Sequence, residues 1–401
     1  MASQTADLNR KGFGLKQTIL PQLKRDYRSP LVDWLRANGH SARAGAAEIR
    51  LAQEFGFCYG VDRAVEYAYE TREKFPDRQL WITGEIIHNP FVNGRLKEMG
   101  IKFLDETPGG IGAVGSGDVV LLPAFGVPSP VLDAIRAREA VIVDTTCGSV
   151  LNVWKQVENN ARDGFTSIIH GKFAHEETRA TASRASLFPL GKYLIVFDKP
   201  QAERVATFME AGCPAGDEAD ALARDFARAS SPGFDFTRDL ARVGLANQTT
   251  MLSSESLEIA ARFGLAQERR HGAEASKAHF RAFDTICSAT QDRQDAVQKL
   301  LAWPPQVLIV IGGFNSSNTT HLKELGDLVC PTFHIQTGEA LSRDAVTHKP
   351  QGGSPVEARD WLPAGTTRIG VTAGASTPDL EVGRTVARVM EFLGEKPPVE
   401  P

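Results

Sequence analysis

The sequence predicts an α/β protein that uses one structural unit three times. Apolar β-formers run into a cysteine in Val141-Ile-Val-Asp-Thr-Thr-Cys147, and Gly148-Ser149 then opens Val150-Leu-Asn-Val-Trp-Lys-Gln-Val157, whose apolar residues recur at helical spacing. Two further cysteines share this setting. Ile49-Arg-Leu51 leads to Gly56-Phe-Cys58-Tyr-Gly-Val before a helix around Val65, and Phe283-Asp-Thr-Ile-Cys287-Ser-Ala-Thr precedes a helix around Val297. A chain of 401 residues exceeds one ordinary core, so two or three domains are expected. The reading divides it into an N-terminal extension (1–47), a first α/β unit (48–147) with Cys58 and His88, a second (148–286) and a third (287–401). Cys147 introduces the second unit, which carries His175, Glu177 and Thr249; the third carries Cys287, Ser316, Asn318, Ser376 and the C-terminal tail.

Each element follows from local pattern. The extension has helical character at Ser29-Pro-Leu-Val-Asp-Trp-Leu-Arg36. In the first unit a helix near Val61 to Lys74 leads to the strand Gln79-Leu-Trp-Ile-Thr83 and the polar loop Gly84-Glu-Ile-Ile-His88-Asn89-Pro90. Such loop ends are where α/β folds place ligand contacts. A helix at Val92 to Met99 and a strand from Val119 to Pro123 complete the rhythm. Gly110-Ile-Gly112-Ala-Val-Gly115 fits the dinucleotide pattern, but no strand immediately precedes it and no helix follows, so a glycine-rich turn is the better reading.

In the second unit the strand Ser167-Ile-Ile-His170 runs into Gly171-Lys-Phe-Ala-His175-Glu176-Glu177-Thr178, and Tyr193 to Phe197 is a buried strand. Residues 211–231 read as a surface insertion. The strand from Arg242 enters Gln248-Thr249-Thr250 before a helix at Ser254 to Phe263. In the third unit Val307-Leu-Ile-Val-Ile311 enters Gly312-Gly-Phe-Asn315-Ser316-Ser317-Asn318-Thr319 and a helix through Leu322. A loop follows at 349–360. Arg368-Ile-Gly-Val371 then enters Thr372-Ala-Gly-Ala-Ser376-Thr377-Pro378-Asp379, a helix start with Pro at an early helical position.

Composition bounds the chemistry. Hydrophobic content of 42% and charged content of 23% suit a soluble globular protein, and no apolar run approaches bilayer length. The first residues lack the apolar core of a secretory signal and include an acid, so a cytoplasmic protein is expected. A net charge of -4 gives no electrostatic reason to expect nucleic acid, which favours a small-molecule ligand. Five widely spread cysteines do not read as a disulfide framework.

Cys58, Cys147 and Cys287 at three helix openings could converge on a metal, or be inert packed thiols; they lack the C-x₂-C spacing of ferredoxin or zinc motifs, and both readings stand. Were they to hold an iron–sulfur cube, three ligands would leave one iron free for substrate. Cys213 and Cys330 lack the strand-then-helix setting and read as a surface-loop thiol and a packed core thiol. The turns at Ser316–Asn318 and Ser376 offer free backbone N–H groups and short polar side chains, the parts that hold phosphate oxygens, although helix capping alone also explains them. His88 and His175 beside two such turns favour an anionic ligand. Glu177 could donate a proton if desolvated.

Taken together, Gly56-Phe-Cys-Tyr-Gly-Val61, His88-Asn89, Asp144-Thr-Thr-Cys147, His175-Glu-Glu177, Gln248-Thr-Thr250, Ile286-Cys287-Ser-Ala-Thr, Asn315-Ser-Ser-Asn318 and Thr372-Ala-Gly-Ala-Ser-Thr-Pro-Asp379 occur in the order in which the LytB/IspH family carries them. The chain resembles that family from about Ile49 to Arg388, in its longer cyanobacterial and plant form. The resemblance implies three α/β units in a pseudo-threefold trefoil around a [4Fe-4S] cluster held by Cys58, Cys147 and Cys287, with one iron open. It further implies reductive dehydration of (E)-4-hydroxy-3-methylbut-2-enyl diphosphate to isopentenyl and dimethylallyl diphosphate, the last step of the non-mevalonate isoprenoid pathway, with electrons from a carrier such as ferredoxin or flavodoxin. On this resemblance His88, His175, Ser316, Ser317, Asn318 and Ser376 hold the diphosphate, Thr249 orients the hydroxyl and Glu177 delivers protons.

Three features depart from the short bacterial form. Phe125 stands where that form has a histidine, Gly148 where it has proline, and the segment after Ala211 is extra. Two other readings of the same residues are a non-redox iron–sulfur hydro-lyase and a non-catalytic phosphate-ligand-binding protein.

Overall fold

Strands such as Val119–Leu122 and Val307–Ile311, buried at every residue, have no polar face to offer water, and they lie in parallel sheets covered on both sides. The computed structural model describes residues 8–283 and 285–401. The first seven residues of the extension, and Asp284 in the predicted approach to Cys287, lie outside the described residues.

Three sheets carry the chain. The first has the order Leu8–Asn9, Val141–Asp144, Val119–Leu122, Leu80–Ile82, Ile101–Phe103, all parallel. The second runs Phe280–Ala282, Val243–Asn247, Thr166–His170, Lys192–Val196, again all parallel. The third orders Thr332–Ile335, Val307–Ile311, Arg368–Ala373 and Ala47–Leu51 in parallel, with Ser41–Ala44 antiparallel at its edge. The architecture is thus mixed α/β built on parallel sheets. Among the described residues no helix is long and apolar enough to cross a membrane.

Connectivity between the sheets is cyclic, and the three cysteines sit on the crossings. Ala47–Leu51 belongs to the third sheet, yet the helix after Cys58, Tyr59–Lys74, buries Val61, Ala64, Val65 and Ala68 against Leu80, Ile82 and Leu121 of the first. Val141–Asp144 lies in the first sheet, while the helix after Cys147, Gly148–Arg162, packs Val153 and Val157 on Ala246 of the second. Phe280–Ala282 lies in the second sheet, while the helix after Cys287, Ser288–Leu301, packs Val297 and Leu300 on Leu308 and Val310 of the third. Each cysteine therefore marks the point where the chain leaves one sheet and its next helix covers another.

The structure corrects several boundaries. The strand Ala47–Leu51, assigned above across the extension and the first unit, is paired within the third sheet, so the division at residue 48 does not follow the sheets. The helical character of the extension is present in Lys16–Tyr27 and Pro30–Ala37, the latter capped by Ser29, whose side chain accepts from Val32 N–H. The extension also adds edge strands, Leu8–Asn9 and Ser41–Ala44, too short and too poor in β-branched residues to announce themselves. Within 211–231 a helix, Asp217–Asp225, sets Ala219, Leu222 and Phe226 into the core of the second unit, so the segment is docked rather than superficial. Acidic residues between those apolar positions obscure their helical spacing. Cys213 is accordingly no surface thiol: it is buried, and Arg270 Nη1 donates to its Sγ at 3.0 Å. Cys330 packs half-buried beside Leu322, as expected. The loop 349–360 contains Val356–Arg359, which pairs antiparallel with Ala345–His348. Pro378 is the N-cap of the helix Asp379–Phe392 rather than a residue inside it. The glycine-rich 110–115 stretch forms a 3₁₀ turn at Gly110–Ala113 followed by no α-helix, as its context predicts.

Candidate active site

Cys58, Cys147 and Cys287 are each the N-cap of an α-helix. An N-cap leaves its side chain beside the unpaired N–H groups of the first turn; Cys287 Sγ accepts from Thr290 N–H at 3.3 Å and lies 3.0 Å from Thr290 Oγ1. All three thiols line one cavity, where the sheets meet. A Cβ built on Gly60 would lie 2.5 Å from Cys147 Sγ and 3.9 Å from Cys58 Sγ, so two of the sulfurs flank one point above the start of the Cys58 helix. Burial pushes the Cys58 thiol up, and raises that of Cys287 to about 11 despite its N–H contact. Thiolates here need a cationic partner of their own.

Gly60→Ala tests how tight this is. Alanine suits a helix better than glycine by about 1 kcal/mol, so the fold is expected to persist. The new methyl would occupy the space of Cys147 Sγ, so thermal melting should stay near that of the parent while bound iron, measured by colorimetric assay, falls.

Every other residue singled out from the sequence lines the same cavity: His88, His175, Glu177, Thr249, Ser316, Ser317, Asn318 and Ser376. Two are themselves N-caps, His175 of the helix Glu176–Ala185 and Ser316 of Ser317–Asp327, where its Oγ accepts from Thr319 N–H at 3.3 Å. Two helix N-termini therefore add their positive ends to those of the cysteine helices. Asn318 Oδ1 accepts from Ala375 N–H at 2.9 Å, which leaves its Nδ2 buried without a hydrogen-bond partner. Ser376 Oγ donates to the His88 carbonyl at 3.2 Å. The Gly313 loop presses on that same carbonyl: a Cβ there would lie 2.1 Å from His88 O, which only glycine avoids. Among the described residues lining the cavity none is Lys or Arg.

The two histidines differ. His175 Nδ1 accepts from Glu177 N–H at 3.2 Å, so in the neutral ring the proton is on Nε2. Burial pushes this histidine down to about 3, with the neighbouring His88 and Lys172 adding to the effect, and it stays neutral. His88 meets Glu85 Oε2 through Nδ1 at 2.8 Å, and its Nε2 is buried with no hydrogen-bond partner. Its ring stacks on Phe125 with centroids 4.6 Å apart and lies edge-on to His175 at 5.0 Å.

Glu177, in the first turn of its helix, is buried. Desolvation raises it from 4.5 to about 7, opposed by Thr249, whose N–H donates to Oε1 at 2.6 Å and whose hydroxyl donates to Oε2 at 3.1 Å. Thr249 O also accepts from Cys287 N–H at 3.2 Å, which ties the carboxyl group to one thiol through a single residue.

Sequence reasoning missed two supports. Gln248 Nε2 donates to Ser317 Oγ at 3.0 Å and to Thr250 Oγ1 at 2.8 Å, while its Oε1 accepts from Thr178 Oγ1 and Lys172 N–H. It joins the second unit to the turn of the third, and its place in the Gln248-Thr-Thr250 stretch was the available signal. Glu85, three residues before His88, was the other.

A model of the LytB protein family matches residues 49–390. The 4-hydroxy-3-methylbut-2-enyl diphosphate reductase of Gloeobacter violaceus is 48% identical over 400 residues, covering 98% of this chain and 94% of that one. The enzyme of the same name from Thermosynechococcus vestitus is 46% identical over 385 residues, covering 95% and 94%. Among solved structures, (E)-4-hydroxy-3-methyl-but-2-enyl diphosphate reductase, described as the terminal enzyme of the non-mevalonate pathway, is similar with a TM-score of 0.52 and 28% identity, over 86% of this chain and 99% of that one. The E-1-hydroxy-2-methyl-but-2-enyl-4-diphosphate reductase of Plasmodium falciparum shares the fold, with a TM-score of 0.62 at 20% identity over 84% of this chain and 86% of that one. With more than two thirds of its length matched by the family model and by close relatives, the chain belongs to the LytB family.

Proposed function

We propose that this chain reduces (E)-4-hydroxy-3-methylbut-2-enyl diphosphate with two electrons and two protons, releasing water and giving isopentenyl or dimethylallyl diphosphate. One observation carries the reading. Three thiols from three sheet crossings line the same cavity as unpartnered buried polar atoms on His88 and Asn318. Buried polar atoms without partners are costly and point to a ligand that satisfies them.

The donor set fits an iron–sulfur cluster: three thiols line one cavity, burial pushes those of Cys58 and Cys287 up so that they stay neutral unless a metal balances their charge, and a single Cβ on Gly60 would collide with the sulfur of Cys147. Cys58, Cys147 and Cys287 would hold a [4Fe-4S] cluster with one iron open, at the centre of a trefoil that the cyclic sheet crossings support. When bound, it would supply the two electrons, refilled by an external carrier of the ferredoxin or flavodoxin type, together with Lewis acidity at the departing hydroxyl.

The remaining work falls to the chain. Ser316, Ser317, Asn318 and Ser376 would take the diphosphate with short donors and helix N-termini, and His175 would donate Nε2–H. Gln248 holds Ser317 in register for this. Thr249 would orient the substrate hydroxyl, and Glu177, raised to about 7 by its burial, would donate a proton that makes hydroxide a better leaving group.

The test is anaerobic turnover with a reduced viologen dye. Reductant consumption that starts only on addition of substrate, with both diphosphate products by mass spectrometry, is expected. Dehydration without reductant would identify a hydro-lyase, and binding without turnover a ligand-binding protein; either would overturn the proposal.

A further inference from the structure

A diphosphate carries several negative charges, yet among the described residues no Lys or Arg lines the cavity proposed to hold it. Of the described side chains that line it, only a histidine can then bring positive charge into contact with the ligand. His175 cannot provide it: its Nδ1 is occupied as an acceptor of Glu177 N–H, and the neutral ring already presents Nε2–H to the cavity. That leaves His88.

The contacts of His88 are those of a ring prepared to be charged. A carboxylate only accepts, so Nδ1 facing Glu85 Oε2 at 2.8 Å bears its hydrogen. In the neutral ring Nε2 would then be a bare lone pair, and this buried, unpartnered atom would confront phosphate oxygens with like charge. Protonated, the same atom becomes a charge-assisted donor. Two carboxylates and an aromatic face lie against the ring and favour this state, opposed by the positive end of the helix Glu176–Ala185 and by Lys172, whose charge reaches the adjacent His175. Glu85 lies on its own loop, and Glu176, on the neighbouring helix, has Oε2 3.6 Å from Nε2. Glu177 beside it is acidic and His175 is neutral. The face of Phe125, stacked 13° from parallel, attracts a cation. His88, His175 and Glu176 also have potential metal-ligand atoms within 4.8 Å of one another, but the Nε2–H of His175 suits an anion and not a metal ion.

We infer that Glu85 is a positioning residue that keeps a hydrogen on Nδ1 of His88 and holds the ring as an imidazolium, making His88, among the described residues, the one cationic side chain that lines the diphosphate pocket. This rests on the diphosphate reading above and assigns a role to a residue outside the cavity lining.

The experiment measures binding of inorganic pyrophosphate to anaerobically purified holoprotein by calorimetry, for the parent, Glu85→Gln, His88→Gln and the double variant. The amide introduced by Glu85→Gln keeps an acceptor but no charge, and the Glu85 side chain is 37% exposed, so folding is not at stake. Near pH 8, Glu85→Gln is expected to weaken binding about tenfold. In turnover assays KM should rise by a similar factor with kcat within about threefold. In the His88→Gln background the Glu85 substitution should change nothing further. Parent-like affinity of Glu85→Gln, or an equal loss without His88, would overturn the assignment of Glu85 alone. A parent protein with no affinity for pyrophosphate would overturn both this inference and the diphosphate reading.

Discussion

Cys147→Ser is expected to abolish turnover and to strip the anaerobically purified protein of its brown absorption and electron paramagnetic resonance signal, with Cys58→Ser and Cys287→Ser behaving alike. Serine is nearly isosteric, and each position is an N-cap, where serine is preferred over most residues. Folding should therefore survive, with melting temperatures of the metal-free proteins near or above that of the metal-free parent. What serine lacks is a soft, readily ionised sulfur. Removal of a supporting partner alone costs a metal site roughly 10–100-fold, and loss of one of three direct ligands is expected to exceed that. Equal effects at three positions far apart in sequence would follow from one shared centre. Undiminished cluster content in all three variants would remove the iron–sulfur reading, and loss in only one would break the proposed sharing.

The equivalence of the three cysteines was legible in the sequence because each lies between an apolar strand and a helical period, and strand-to-helix turns place side chains at the edge of a parallel sheet. Their convergence was not. It depends on each helix covering a different sheet from the strand before it, and apolar periodicity says that a helix is covered without saying by what. The same limit explains Ala47–Leu51, a sound strand whose partner, Arg368–Ala373, lies over three hundred residues away. The polar turns at His175, Ser316 and Ser376 were visible as helix openings. Gln248 and Glu85 were hidden because their work lies in hydrogen bonds to other side chains, Ser317 and His88, and such pairings leave no periodic trace.

Glu177→Gln separates the use of this carboxyl group from its cost. The unfolded chain keeps Glu177 near 4.5 and the folded chain raises it to about 7, so the folded state holds an extra proton between those values. Its contribution to stability is greatest below about pH 4.5 and is lost as pH rises through about 7, where a charge must be kept in a buried site. Gln has no charge to bury. Its amide oxygen can accept from Thr249 N–H and its amide nitrogen can face a reoriented Thr249 hydroxyl, so the variant is expected to melt at or above the parent temperature near pH 8. It has no acidic proton to give. Turnover should drop by about a hundredfold to ten-thousandfold, the range a positioned general acid supplies, with pyrophosphate affinity little changed. In the parent, kcat should fall as pH rises through about 7, and the residual rate of the variant should lose that dependence. A variant that turns over normally, or that keeps the parent pH profile, would move the proton donor elsewhere. A variant both less stable and inactive would mean that the carboxylate is held for its hydrogen bonds to Thr249, and that turnover fails because the loop leading to Cys287 has shifted.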